Sequence, residues 1–135
     1  MNHVVDKNTY KVLNKGAGDH LEAVHLGEDI AIACSNVSLS RVGICRTDNL
    51  DAIMTFMAEM LEGSAGDMRG ILRVRLVGGV ANEVSRKTLE NTVMALNAFD
   101  ADQDIVDIIS ADILGKPHPA GFQLRVSDGA VIAVE

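Results

Sequence analysis

A chain of 135 residues with a net charge of −7, from 12 Lys and Arg against 19 Asp and Glu, fits one domain and offers no basic face to nucleic acid or to an anionic membrane surface. Apolar residues make up 47% of the chain and aromatics only 3%, so Val, Ile, Leu, Met and Ala must fill the core. No run approaches the ~18 apolar residues that span a bilayer, the opening stretch has no signal-peptide apolar core, and two cysteines are too few for a disulfide framework, so the expectation is a single cytoplasmic domain over 1–135.

Residues 1–20 are polar and mixed, and read as a flexible leading segment with one short strand within Val4–Leu13 before Gly16-Ala17-Gly18. Ile30–Ala33 is short and continuously apolar, as in a buried strand. Val42–Cys45 is a second such run beyond a turn-like stretch, and the two read as an antiparallel pair. Leu50, Ile53, Met54, Met57, Met60 and Leu61 recur at helical spacing, with Asp48 as the expected N-cap and Gly63 just past the end. Methionine at this spacing fills core. Ile71–Val77 alternates, with Leu72, Val74 and Leu76 on one side and Ile71, Arg73, Arg75 and Val77 on the other, before Gly78-Gly79 breaks the strand. Ser85 is the expected cap of a second helix whose apolar face is Leu89, Val93, Leu96 and Phe99. Asp104–Leu114 is β-branched and reads as a strand, and Phe122–Val134 as a hairpin about Asp128-Gly129. The predicted fold is α+β: two mixed β-sheets packed face to face with a helix on each outer face, α/β/β/α.

Cys34 is the first candidate for chemistry, as a nucleophile at the mouth of a strand pair. The competing reading is a core residue, since free cysteine is among the most buried residue types. A turn centred near residue 40 sets Cys34 opposite Arg46, within about 5 Å at Cβ. An arginine there favours the thiolate but carries no exchangeable proton near pH 7. None of His3, His20, His25 and His118 lies at a metal-ligand spacing with the cysteines, so no metal and no cofactor is expected. His118, between two prolines, is the leading stand-in for a general base, with His25 next. Gly78-Gly79 lacks the G-x-G-x-x-G and G-x-x-x-x-G-K-[ST] patterns, so a tight strand exit or close backbone packing is expected there rather than a phosphate cradle.

The stretch "LRVRLVGGVANEVSRKTLENTVMALNAF" followed by "DIVDIISADILGKPHPAGFQLRVSDGAVI" resembles the C-terminal part of the protein N-terminal asparagine amidohydrolases and, more distantly, the chemotaxis receptor deamidases (CheD). "IAIACSNVSLSRVGICRTDNLDAIMTFMAEM" is similar to that superfamily's catalytic half, which also occurs in cytotoxic necrotizing factor toxins. The resemblance covers about Ala23–Val134. It implies an α/β/β/α fold and attack of a cysteine thiolate on a protein Asn or Gln carboxamide, releasing ammonia. Cys34 falls at the nucleophile position. Where the amidohydrolases carry Thr-His-Cys-Asp, this chain has Cys45-Arg46-Thr47-Asp48, so Arg46 stands at the histidine position. Two functions follow from the resemblance: a cysteine-dependent deamidase acting on a protein substrate, or a catalytically degenerate member that binds a protein partner as a regulator or inhibitor.

Overall fold

The computed structural model describes residues 2–14, 20–23, 26, 29–36, 39, 41–63, 71–101, 105–113, 121–125 and 131–134. Nine strands and two helices lie within them, in the order β1 (Asn2–Val4), β2 (Tyr10–Leu13), β3 (His20–Ala23), β4 (Ile30–Asn36), β5 (Arg41–Cys45), α1 (Leu50–Leu61), β6 (Leu72–Gly78), α2 (Glu83–Asp100), β7 (Val106–Ile113), β8 (Gly121–Arg125) and β9 (Val131–Val134). The strands form two mixed sheets, β2-β5-β4-β6-β7 and β1-β3-β8-β9. Parallel pairing among them is confined to β6 with β7 and β1 with β3. The class is α+β and the sheets face each other, as the sequence leads one to expect.

Alternation within the central strands separates two cores. On β4, Ile30, Ile32 and Cys34 face one way, joined by Cys45, Leu72, Val74 and Leu76 from the neighbouring strands. This face packs under Ile53, Phe56, Met57 and Met60 of α1 and Ala95 and Leu96 of α2. Each large side chain so buried contributes about 1.5–3 kcal/mol. The opposite face of the same strands presents Ala31, Ala33, Val42, Ile44 and Val77 to Leu21, Ala23, Phe122 and Leu124 of the smaller sheet. The small alanines on β4 let the two sheets approach. Both helices thus share the outer face of the five-stranded sheet, rather than taking one outer face each. The outer face of the four-stranded sheet carries half-buried His20, Glu22 and Gln123 and exposed Arg125.

Local chemistry explains where the boundaries differ from expectation. Val4–Leu13 is two strands in different sheets: Asn8 takes φ 62° and Thr9 donates its amide and hydroxyl to the Asp6 carbonyl, turning the chain between them. The leading segment is therefore woven into both sheets through β1 and β2. Asn49, not Asp48, caps α1, accepting from the Ala52 amide at 3.0 Å; Asp48 instead accepts from Asn91 Nδ2 at 2.8 Å, tying the helices together. Asn82, not Ser85, caps α2, accepting from the Ser85 amide at 2.9 Å. The Ser85 hydroxyl receives the Val80 amide at 2.9 Å and so shapes the loop before the helix. The last turn of α1 is held by Arg41, whose Nη1 reaches the carbonyls of Glu59, Met60 and Glu62, a cation at the negative end of the helix dipole. Gly63, at φ 87°, ends that helix as expected. The Asp128-Gly129 turn lies outside the described residues; the β8–β9 pairing on either side of it is antiparallel.

Candidate functional site

Cys34 lies at the centre of the five-stranded sheet. Its lateral neighbours are Gly43 on β5 and Val74 on β6. Gly43 is small for a reason: a Cβ there would lie 2.6 Å from Phe56 Cε1 and 2.7 Å from Met60 Sδ. The glycine lets α1 settle onto the hairpin, and the side chains of α1 close over Cys34. The thiol is fully buried, within an apolar cluster of both helices and the sheet. Burial alone pushes its pKa well above the ordinary thiol range, because a thiolate there would be a bare charge in an apolar layer. Cys45, on the same face, is also fully buried. Burial pushes it up to about 11, offset in part by a backbone hydrogen bond with Thr47.

Arg46 is not opposite Cys34. The hairpin closes with Asn36 paired to Arg41, so the register runs three residues tighter than a turn centred on residue 40 would give. Two interactions set that register: Asn36 Oδ1 accepts from the Leu39 amide, and Asn36 Nδ2 donates to the Met60 carbonyl at 2.9 Å. Arg46 therefore falls beyond the end of β5. Its backbone continues the ladder with β2, donating to Thr9 O at 2.9 Å and accepting from the Asn8 amide at 3.1 Å. Its guanidinium, 6% exposed, donates to the Val5 carbonyl at 3.1 Å and to Asp29 Oδ2 at 2.9 Å. Lys7 lies 3.7 Å from the other Asp29 oxygen. Asp29 in turn presses its carbonyl oxygen against Gly78, which takes φ 117°. The residues of the "CRTD" stretch and the Leu-Val-Gly-Gly exit thus meet at one end of the sheet, in a polar clasp that ties the N-terminal segment, β4, β5 and β6 together. Close backbone packing is what the glycine pair serves.

His118 and His25 lie outside the described residues. His3 and His20 are on β1 and β3 of the smaller sheet, away from the face that holds Cys34. No described group of three or more His, Cys, Asp and Glu is placed to hold a metal ion, and among the described residues no helix is long and apolar enough to cross a membrane.

A cleft opens between the helices, about 430 Å³ and lined by Asp48, Asn49, Leu50, Asn91 and Met94. The helical stripe of α1 places Leu50 in the core, yet it is 52% exposed, and Met94 is 67% exposed. Leu50 is the first residue of α1.

The buried thiols make a testable contribution to stability. The unfolded chain releases thiol protons near pH 9.0, whereas the folded chain retains them. Below pH 9 both states are protonated and the thiols add no slope. Above it unfolding releases protons, so stability falls as pH rises, by about 1.4 kcal/mol per pH unit for each thiol up to pH ~11. Tyr10, raised by its hydrogen bond to Glu59, adds in the same direction only above its ordinary value of 10.0. Urea unfolding between pH 8 and 11 reads this directly, and Cys45→Ala removes one thiol's share. A flat curve from pH 9 to 10 would refute the buried, protonated state of both cysteines.

Fold and site together define an acidic α+β domain of two facing sheets with a closed thiol at the middle of the larger one. No protein-family model matches the chain. It is 32% identical over 65 residues to the uncharacterized protein RC0132 of Rickettsia conorii, an alignment covering 48% of this chain and 87% of that protein. The chain belongs to the family of that protein.

Proposed function

We propose that the chain is a catalytically degenerate relative of the cysteine deamidases, acting in the cytoplasm by binding a protein partner. The observation that carries the reading is the closure of Cys34: no exposed surface, a pKa raised by burial, and apolar side chains of two helices packed over its face of the sheet. A nucleophile must present a thiolate to its substrate, and attack needs contact at about 3–3.5 Å. Arg46, at the family's histidine position, is engaged with Asp29 and Val5 and supplies no titrating group to the thiol. Two free cysteines agree with a reducing compartment.

Thiol labelling tests this. With a soluble aromatic disulfide at pH 7.5, Cys34 and Cys45 are expected to react only after unfolding in guanidinium, and ammonia release from a glutamine- or asparagine-bearing protein is expected to equal the buffer control. Native labelling of Cys34 faster than a model thiol, with ammonia release abolished in Cys34→Ala, would restore the deamidase reading.

A further inference from the structure

We propose that the cleft between α1 and α2 seats an arginine side chain of a partner protein, its guanidinium on Asp48 and Asn91 and its aliphatic stem against Leu50 and Met94. This rests on the binding role proposed above and names the chemistry the partner presents.

At about 430 Å³ the cleft falls within the usual range of ligand sites, about 300–1,000 Å³. Its polar side is a pair of acceptors joined by one hydrogen bond. Asn91 donates from Nδ2 to Asp48 Oδ2 at 2.8 Å, and because a carboxylate only accepts, the bond fixes which way the amide faces. Asp48 Oδ1 and Asn91 Oδ1 are left as acceptors, and neither has a partner among the described residues. Both residues are half-buried. The apolar side is Leu50 and Met94, two exposed large side chains, one from each helix, on the wall of the same cleft. Methionine so placed adapts to the shape of what it meets.

The charge at this place is negative and uncompensated. Among the described residues no cation pairs with Asp48, and exposed Asp51 stands in the first turn of α1. The positive end of the α1 dipole, about half a charge, is outweighed by these two carboxylates. An anion is therefore disfavoured at this helix start, and Asn49 Oδ1 already takes the Ala52 amide that an anion would use. The acceptor pair selects among cations. Two acceptors side by side suit the planar fork of N–H donors on a guanidinium, which also sheds water more readily than an ammonium does. The stem of an arginine lies along apolar surface while its head stays polar, as Leu50 and Met94 beside Asp48 and Asn91 require. The acceptors are also held in advance, since the bond between them ties the two helices together, which reduces the ordering cost of binding.

The probe is n-propylguanidinium, the arginine side chain alone, titrated into the full isotope-labelled chain and followed by amide chemical shifts. Saturable shifts are expected at Asp48–Leu50 and Asn91–Met94, with a dissociation constant of about 1–10 mM. n-Propylurea keeps N–H donors and loses the charge, and is expected to bind at least about tenfold more weakly; n-butylammonium, the lysine side chain, at least about threefold more weakly. Acetyl-Ala-Arg-Ala-amide is expected to shift the same amides. Asp48→Asn keeps an acceptor for Asn91 and is expected to weaken n-propylguanidinium about tenfold, whereas Glu62→Gln, an equal charge change at the far end of α1, is expected to change it less than about twofold. Met94→Ala, at a side chain too exposed to support the fold, is expected to weaken it about threefold. No saturable binding, equal affinity for the urea or the ammonium, a silent peptide, equal losses in the two carboxylate variants, or an unchanged affinity in Met94→Ala would overturn the proposal. So would self-association in sedimentation that Asp48→Asn abolishes, since the cleft would then belong to a second copy. Failure here leaves the thiol and ammonia measurements, and the degenerate reading they test, untouched.

Discussion

Alanine at Gly78 is expected to cost the fold about 3 kcal/mol or more, well above an ordinary substitution. Two independent penalties add there. The φ of 117° is a region that side-chain-bearing residues rarely enter, at about 1–3 kcal/mol. The added Cβ also meets the Asp29 carbonyl oxygen, a backbone atom that cannot rotate away. The neighbouring glycines separate the two causes. Gly63, at φ 87°, has open space where a Cβ would sit, with nothing within 4 Å, so Gly63→Ala reports backbone strain alone, about 1 kcal/mol. Gly79, at φ 82°, would place its Cβ 3.1 Å from Ile30 Cγ1, a side chain with some room to yield, and should fall between. Urea midpoints of the three variants are expected in the order Gly63→Ala, Gly79→Ala, Gly78→Ala, from highest to lowest. Equal midpoints for Gly78→Ala and Gly63→Ala would mean that the contact with Asp29 carries no energy.

That contact also shows how far a sequence of this kind can be read. The Gly78-Gly79 break, the alternation of Leu72, Val74 and Leu76, and the helical stripe of α1 are legible because each is a local pattern with a single geometric meaning. The register of β4 on β5 is not. It is set by Asn36, whose amide reaches Met60 at the far end of α1, and by Arg41, which binds the same helix terminus. Those are contacts between segments roughly twenty residues apart, and a three-residue difference in the turn moves Arg46 from beside Cys34 to the end of the sheet. The caps escape sequence reading for a related reason. Asp48 and Asn49 are both good caps, as are Asn82 and Ser85; Asp48 is drawn off by Asn91 and Ser85 by the Val80 amide. The splitting of Val4–Leu13 between two sheets rests on one left-handed residue, Asn8, which tolerates that conformation better than most but does not announce it. Placing both helices over one sheet follows from the burial of α1 and α2 against the same side chains of β4 and β6, which alternation alone cannot assign to a side.

The clasp itself yields the second large effect. Arg46→Ala is expected to destabilise the fold by about 3–5 kcal/mol, the cost of leaving a partly buried carboxylate without its cation. Lys7, largely exposed at 3.7 Å from Asp29, recovers little of that loss, because a solvated pair contributes at most about 1 kcal/mol. Asp29→Ala should cost a similar amount from the other side. Replacing both partners by apolar groups, Arg46→Met with Asp29→Leu, is expected to regain most of the stability, since the desolvation penalty of both charges disappears together. Arg46→Lys should fall between wild type and alanine: a point charge cannot fork to both the Val5 carbonyl and the Asp29 carboxylate as the guanidinium does. Arg46→His, which places here the residue type of the deamidases the sequence resembles, should be destabilising and should release no ammonia, because position 46 is three residues from the pairing partner of Cys34. Urea unfolding gives the energies, and amide exchange across residues 2–5 gives their location, since the guanidinium anchors that segment through Val5. A wild-type midpoint for Arg46→Ala, or a double variant no better than either single, would show that the ion pair does not hold this end of the sheet. Ammonia release by Arg46→His would show instead that the hairpin retains a working path from position 46 to the thiol.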